Sequence, residues 1–426
     1  MRTSKGATGY IVAAIVAILA LATAMVGPTP ILNAETGRPV TDASLVHGVA
    51  YTVLAPLCTV LDALTLLSLK QHAALLITVV ICVLVWRIVR SRFRATSFLG
   101  ELAVAALTLA SIVVVYAVGA LVPRPMAAIQ MHDPNDVVID FHSHTNASWD
   151  ANKWFTPERN RAWHAAAGFD VAYISDHKSL VGANAGATGN PPIAGDGTVL
   201  LPALEARDQY EHIVAFGIDS TFKFDPKGNW HDPVRDSSLR ITATEPLLIL
   251  TIPGNISKIP DNEKHGYARL YAVELSDAAP KGVGTIQRER AQIIRFADTL
   301  NLAVVAGSDN HGWGSTAAGW SVMQIPEWRG MTPPQLDSAI QRGIRIERRH
   351  AVRVYERHSP DAGSSATVTV LTVPLVIWRM MVDLDWPDRI SWVGWIVLIA
   401  SIATIPRSRA ARDTIPPAAR RKPEKA

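Results

Sequence analysis

His142 and His144 stand two residues apart in the stretch Asp140-Phe141-His142-Ser143-His144-Thr145, and Asp150 follows six residues after the second. The apolar run Val137-Val138-Ile139 just before them reads as a short buried strand. Residues two apart on a strand point to the same side. Two imidazoles on one side with a carboxylate close behind suit a divalent metal. Three later stretches offer the same residue types: Ser175-Asp176-His177, then Glu205 with His212, then Gly307-Ser308-Asp309-Asn310-His311-Gly312. Each alone has an ordinary alternative as a turn, a surface acid or a helix cap. Four such groups, each beside a predicted strand, point to one shared site.

The elements that must position these groups alternate. Strands are expected at Asp170–Ile174, Thr198–Leu204, His212–Ile218, Pro246–Ile252, Tyr271–Leu275 and Leu302–Ala306. Helices are expected at Pro157–Ala167, Gly284–Leu300 and Pro333–Arg342. Repeated strand–helix units imply an α/β domain with a mainly parallel sheet or barrel, in which chemistry gathers at the carboxyl ends of the strands.

The order His-x-His-Thr, Asp, Asp-His, Glu, His, Gly-Ser-Asp-x-His-Gly resembles the PHP (polymerase and histidinol phosphatase) superfamily of metal-dependent phosphoesterases, over about Val137 to His358. The resemblance implies a distorted (β/α)7-type barrel with two or three Mn, Zn, Fe or Mg ions in its mouth. It implies that His142, His144 and Asp309 hold a first ion and that Glu205 bridges to a second, to which His212 is a ligand. Asp150, His177 and His311 would hold a third. The activity implied is hydrolysis of a phosphate mono- or diester by metal-activated water. The alternative is a degenerate domain that binds metal or ligand without turnover. Thr251-Ile252-Pro253-Gly254 supports that alternative, because Ile252 stands where the family has a metal-binding His. His265 lies downstream and reads as a loop residue. Asp176 reads equally as a partner orienting His177 or as a turn former. Lys178 and Arg207 are candidates for a substrate phosphate, and Trp149, Trp154 and Trp163 for pocket walls, with Trp163 also at core spacing. The substrate expected is a phosphorylated small molecule or nucleotide.

Outside this domain the composition changes. The chain has 426 residues and a net charge of only +4, and its apolar residues cluster in blocks at both ends. Tyr10–Val26, Leu45–Leu69, His72–Val89 and Leu99–Val122 precede the domain, and Ser365–Met381 and Ile390–Ile405 follow it. The organisation expected is a membrane region over 1–122 with three or four helices, a linker over 123–136, the metal-dependent domain over 137–358, one or more membrane segments over 359–406 and a basic tail over 407–426. The first block reads as an uncleaved helix rather than a signal peptide. His47, Pro56 and Asp62 weaken the second block as a span. Many basic residues flank apolar blocks, which argues for membrane orientation and against nucleic-acid binding. Arg87, Arg90, Arg92 and Arg94 lie between the third and fourth blocks, and the tail holds a second basic group. Both on the cytoplasmic side would put the domain outside, in a multi-pass cell-membrane protein whose partner is the lipid bilayer. Cys58 and Cys82 lie in apolar blocks and carry no disulfide pattern.

Overall fold

The computed structural model describes residues 31–90, 97–177, 179–207, 212–217, 246–251, 270–357 and 371–404, with 9, 13–17, 20 and 256 besides. The first apolar block therefore lies largely outside the described residues, as do Ile252, His265 and the basic tail.

Ten strands form one curled sheet. In spatial order they are β1 (Ile31–Asn33), β12 (Arg353–Arg357), β11 (Gly319–Gln324), β4 (Asp136–Ser143), β5 (Val171–Ile174), β6 (Val199–Arg207), β7 (His212–Phe216), β8 (Leu247–Thr251), β9 (Ala272–Asp277) and β10 (Ala303–Gly307). Pairing is parallel through β4-β5-β6 and β8-β9-β10, and antiparallel at β6-β7, β7-β8, β4-β11, β11-β12 and β1-β12. The sheet is thus more mixed than the sequence reading had it. Only 208–211 separate β6 from β7, a connection that closes a hairpin but is too short for a parallel crossover.

The curl brings the last strand back to β4. Ser143 bridges Asn310, Asp309 donates its backbone N–H to the His142 carbonyl at 2.9 Å, and His144 donates to the Asn310 carbonyl at 3.0 Å. The Ser321 hydroxyl ties β11 to β10 through the Ala306 N–H at 2.7 Å. Every residue of β4 is buried, and Phe141, Tyr173 and Phe216 meet in the core, with the Phe141 and Tyr173 rings stacked at 5.6 Å.

Three helices of the sheet domain carry clear end signals. Helix α5 (Pro157–Ala166) starts with the Thr156 hydroxyl accepting from the Arg159 N–H and with proline in its first turn. Helix α7 (Pro280–Leu300) also starts on proline and stops at Asn301, whose φ of 53° is the left-handed cap conformation. Helix α8 (Pro333–Glu347) opens on a Thr332–Gln335 capping box. Helix α6 (Val181–Thr188) packs beside β6.

The stretch read as a linker is structured. Its β3 (Ala127–Met131) pairs antiparallel with β2 (Ala43–His47) in a second, two-stranded sheet. The block Leu45–Leu69 does not form one span. It breaks into β2, α1 (Val49–Val53) and α2 (Ala55–Thr65), with Pro56 in the first turn of α2, where a missing N–H costs nothing. His47 and Asp62 of this block both face protein: His47 Nδ1 lies 2.6 Å from Asp388 Oδ2, and Asp62 lies 2.6 Å from Arg124 and 2.7 Å from Arg357.

Among the described residues two helices are long and apolar enough to cross a membrane: α3 (Leu69–Arg90) and α4 (Phe98–Leu121). At 22 and 24 residues they span about 33 and 36 Å, against about 30 Å of bilayer hydrocarbon. They pack together, and Arg87 makes a two-pronged pair with Glu101 at 3.0 and 3.1 Å at the end remote from the sheet. Helices α9 (Thr372–Asp383) and α10 (Trp386–Thr404) complete the helical layer.

Candidate metal centre

Six of the eight predicted ligands leave the carboxyl ends of strands or the loops just beyond. His142 sits on β4, with His144 immediately after it. His177 follows β5, Glu205 lies on β6, and Asp309 and His311 follow β10. His212 opens β7, and Asp150 lies in the loop after β4. Asp309 has a φ of 45°, a left-handed conformation that a non-glycine residue adopts only when its surroundings hold it there.

The structure brings all eight together. His142 Nε2 and His144 Nε2 lie 3.1 Å apart. Glu205 Oε2 is 3.3 Å from His142 Nε2, 3.2 Å from His144 Nε2 and 3.1 Å from His177 Nδ1, and the other Glu205 oxygen accepts from His212 Nδ1. Asp309 Oδ1 lies 3.5, 3.3 and 3.4 Å from His142, His144 and His311. Asp150 lies 3.3 Å from His177 and 3.4 Å from His311. Two overlapping sets, which share His144, are each close enough to hold an ion: His142, His144 and Asp309, or His144, His177 and His311.

This donor set fits cations. Its carboxylate oxygens and imidazole nitrogens crowd together: Glu205 Oε2 faces three imidazoles, and Asp150 Oδ1 faces His311 Nε2. Donors of these types gathered this closely suit a divalent cation. Burial alone would push the His142 imidazole down, but Glu205, Glu274 and Asp309 outweigh it and hold it well above its ordinary value. His144 behaves the same way and rises to about 9. Glu205 and Asp309 are correspondingly held low, because the imidazoles around them outweigh burial. Burial and the charge on His144 instead push His311 down, and burial pushes His177 down, which leaves those rings with free lone pairs.

Around the donors lies a buried supporting set that sequence reasoning missed. Glu274 on β9 places Oε1 2.9 Å from His142 Nδ1. The Ser148 hydroxyl lies 3.0 Å from His144 Nδ1. Asp140 accepts from His164 Nε2 at 2.7 Å and from the Ser308 N–H at 2.9 Å, tying β4 to α5 and to the loop after β10. Such partners fix which ring nitrogen faces the centre. Asp277, on the same strand as Glu274, is buried, and burial and the neighbouring Asp309 raise its carboxyl well above the ordinary range. The available signal was a carboxylate inside an otherwise apolar strand, as in Ala272-Val273-Glu274-Leu275 and Val138-Ile139-Asp140-Phe141.

The remaining candidates divide. Asp176 does not touch His177; it accepts from the Thr145 N–H and hydroxyl at 2.6 and 2.7 Å and so holds the first motif's loop. Lys178 lies outside the described residues. Arg207 stands on β6 opposite His212, with its side chain outside the described residues. Trp149 and Trp154 are exposed, whereas Trp163 packs against the small core, donates to the Gly314 carbonyl and also lines a cavity beside the metal centre.

No family model and no curated protein sequence matches the chain. Among solved structures it is similar to PsfC from Pseudomonas syringae, at 15% identity and a TM-score of 0.37 over 57% of this chain and 98% of that one. It is also similar to a provisionally assigned metal-dependent phosphoesterase from Bifidobacterium adolescentis, at 16% identity and a TM-score of 0.31 over 48% and 96%. An amidohydrolase from Chromobacterium violaceum with bound sulfate and no metal shows 14% identity and a TM-score of 0.30 over 53% and 99%. The centre rests on its own side-chain geometry.

Proposed function

We propose that this chain is a membrane-anchored, metal-dependent phosphoesterase with a PHP-like domain built on a distorted barrel. The observation that carries the proposal is the convergence of five imidazoles and three carboxylates from separate strand ends. His142, His144 and Asp309 would hold one divalent ion. Glu205 would stand between it and a second on the His212 side, and Asp150, His177 and His311 would hold a third. Mn, Zn, Fe and Mg all accept such nitrogen and oxygen donors. Bound ions of this kind make water acidic enough to serve as hydroxide near neutral pH and neutralise charge on phosphoryl oxygens.

The protein's own contribution is preorganisation. Glu274 and Ser148 fix the two imidazoles of the first motif, and Asp140 locks β4 to the loop that presents Asp309. The substrate class is a phosphorylated small molecule or nucleotide, with Lys178 and Arg207 the candidates to meet its phosphate.

Helices α3 and α4 would anchor the chain. Their outer surfaces are apolar and uncovered, as a bilayer requires. Arg87 and Arg90 stand at the end remote from the domain, and basic residues favour the cytoplasmic face, so the domain belongs on the outer side. A cysteine placed at the exposed Ile346 would then react with a membrane-impermeant maleimide in intact cells. Reaction only after lysis would put the domain inside.

A second reading, a domain that binds metal without turnover, draws support from Ile252. One experiment separates the two. Full-length protein is loaded with each metal and assayed for phosphate release from soluble monoesters and for cleavage of diesters. Turnover that is lost with chelator and restored by metal supports the enzyme, and metal binding without turnover on any ester supports the second reading.

A further inference from the structure

One cavity of about 690 Å³ has two unlike walls, a volume within the range of small-molecule sites. One wall belongs to the metal centre, through Asp150, Asp309 and His311. The other belongs to helices α2, α3 and α4, through Leu61, Leu64, Leu76 and Ala120. The loop between them is latched to both sides. Gly314 donates to the Ala120 carbonyl at 2.9 Å, the Thr316 hydroxyl donates to Asp62 on α2 at 2.9 Å, and Trp163 donates to the Gly314 carbonyl at 3.2 Å. Helices α2 and α4 approach closely: a Cβ on Gly119 would lie 3.0 Å from the Leu61 side chain. The polar interruption on the helical side is internally matched, with His72 Nδ1 2.6 Å from the Tyr116 hydroxyl.

A site for a small hydrophilic phosphate would have no use for an apolar wall continuous with membrane-facing helices. Resting on the phosphoesterase reading above, we propose that the substrate is an amphiphilic phosphate ester, a lipid phosphate. Its acyl or alkyl chain would lie against α2, α3 and α4, and its phosphate would meet the metal centre on the side of Asp150, Asp309 and His311. The cavity then selects the substrate by its tail. In the hydrolytic step the oxygen of water bonds to phosphorus and the phosphorus–oxygen ester bond breaks. The departing lipid oxygen takes up a proton from that water, giving a lipid alcohol and inorganic phosphate.

The test uses full-length protein in lipid nanodiscs, metal-loaded, with butyl and octyl phosphate below their micelle concentrations. Burying one methylene contributes about 0.8 kcal/mol, roughly fourfold. Octyl phosphate is therefore expected to show a kcat/KM at least about tenfold above butyl phosphate, even with the tail only partly buried. Leu76→Trp and Leu64→Trp, which fill the apolar side, should collapse that ratio toward one. A second readout needs neither turnover nor metal. An alkyl phosphonate carrying a photoreactive diazirine in its tail should crosslink metal-free protein at residues of α2, α3 and α4 that line the cavity, and the tryptophan variants should suppress it. Equal rates on the two esters, or a ratio unmoved by both variants with crosslinks elsewhere, would overturn the lipid assignment and leave the phosphoesterase reading standing. Hydrolysis of neither alkyl ester by metal-loaded protein that turns over soluble mono- or diesters would overturn the lipid assignment alone, and turnover of no ester at all by protein that binds metal would sink both.

Discussion

Glu274 offers the sharpest single-residue perturbation of the centre. It is fully buried, and its Oε1 lies 2.9 Å from His142 Nδ1. That contact makes Nδ1 the protonated nitrogen and turns the Nε2 lone pair toward Glu205, Asp309 and His144. Glu274→Ala removes the orienting acceptor and a negative charge beside a cation site. Loss of such a partner typically weakens metal affinity by about 10- to 100-fold, or about 1.4 to 2.8 kcal/mol. Glu274→Gln keeps a carbonyl oxygen to accept from Nδ1 and loses only the charge, so its effect should fall between wild type and Ala. The assay is competition for Mn or Zn against a fluorescent chelator, on full-length protein in detergent. A thermal scan of each metal-free variant checks that the fold is retained. Affinity of Glu274→Ala within twofold of wild type would refute the orienting role, and Gln weaker than Ala would refute the hydrogen-bond account of it.

Two further changes probe the frame around the centre. Asp62→Ala leaves Arg124 and Arg357 buried beside each other without their shared counter-charge, a loss of about 3 to 5 kcal/mol; a thermal midpoint within a degree of wild type would contradict it. Asp170→Asn acts through pH. Burial lifts the Asp170 carboxyl from 3.8 up to about 6. The folded value is the higher, so ionisation in the native state costs stability above about pH 6, and the cost disappears as pH falls toward 4. The amide can still accept from the Val138 N–H that Asp170 now holds at 2.8 Å. The variant should therefore be the more stable by at most about 3 kcal/mol at pH 7.5. The gap should close near pH 4, and a gap independent of pH would count against it.

What the sequence disclosed follows from how each feature is encoded. The eight donors were legible because each sits at a strand end in a short local pattern, and the strand end itself is marked by an apolar run giving way to polar residues. Glu274, Asp140 and His164 were not. Glu274 and Asp140 are marked only as carboxylates inside apolar strands, which names no partner, and only the curl of the sheet decides that Glu274 meets His142 across 132 residues of chain. Strands β11 and β12 and the edge strand β1 escaped for a related reason. They are short, and their pairing is long-range: Ile31 lies opposite Arg357. That pairing also blurs the boundary drawn at Val137, because the sheet draws its edge from the amino-terminal region. Polar residues that spoil an apolar block proved informative in another way. Asp62 marks where α2 docks against the domain, and His47 where β2 meets the start of α10, which hydropathy alone does not reveal.

The central claim is that five histidines and three carboxylates form a metal centre, and counting metal tests it most directly. Full-length protein and its His142→Ala/His144→Ala variant would be purified alike, dialysed against one divalent metal and analysed for metal per chain. Two or three equivalents in the wild type are expected, with loss of at least one in a variant whose thermal midpoint shows it still folded. Equal metal content in the two proteins, or none in the wild type under saturating metal, would contradict the account.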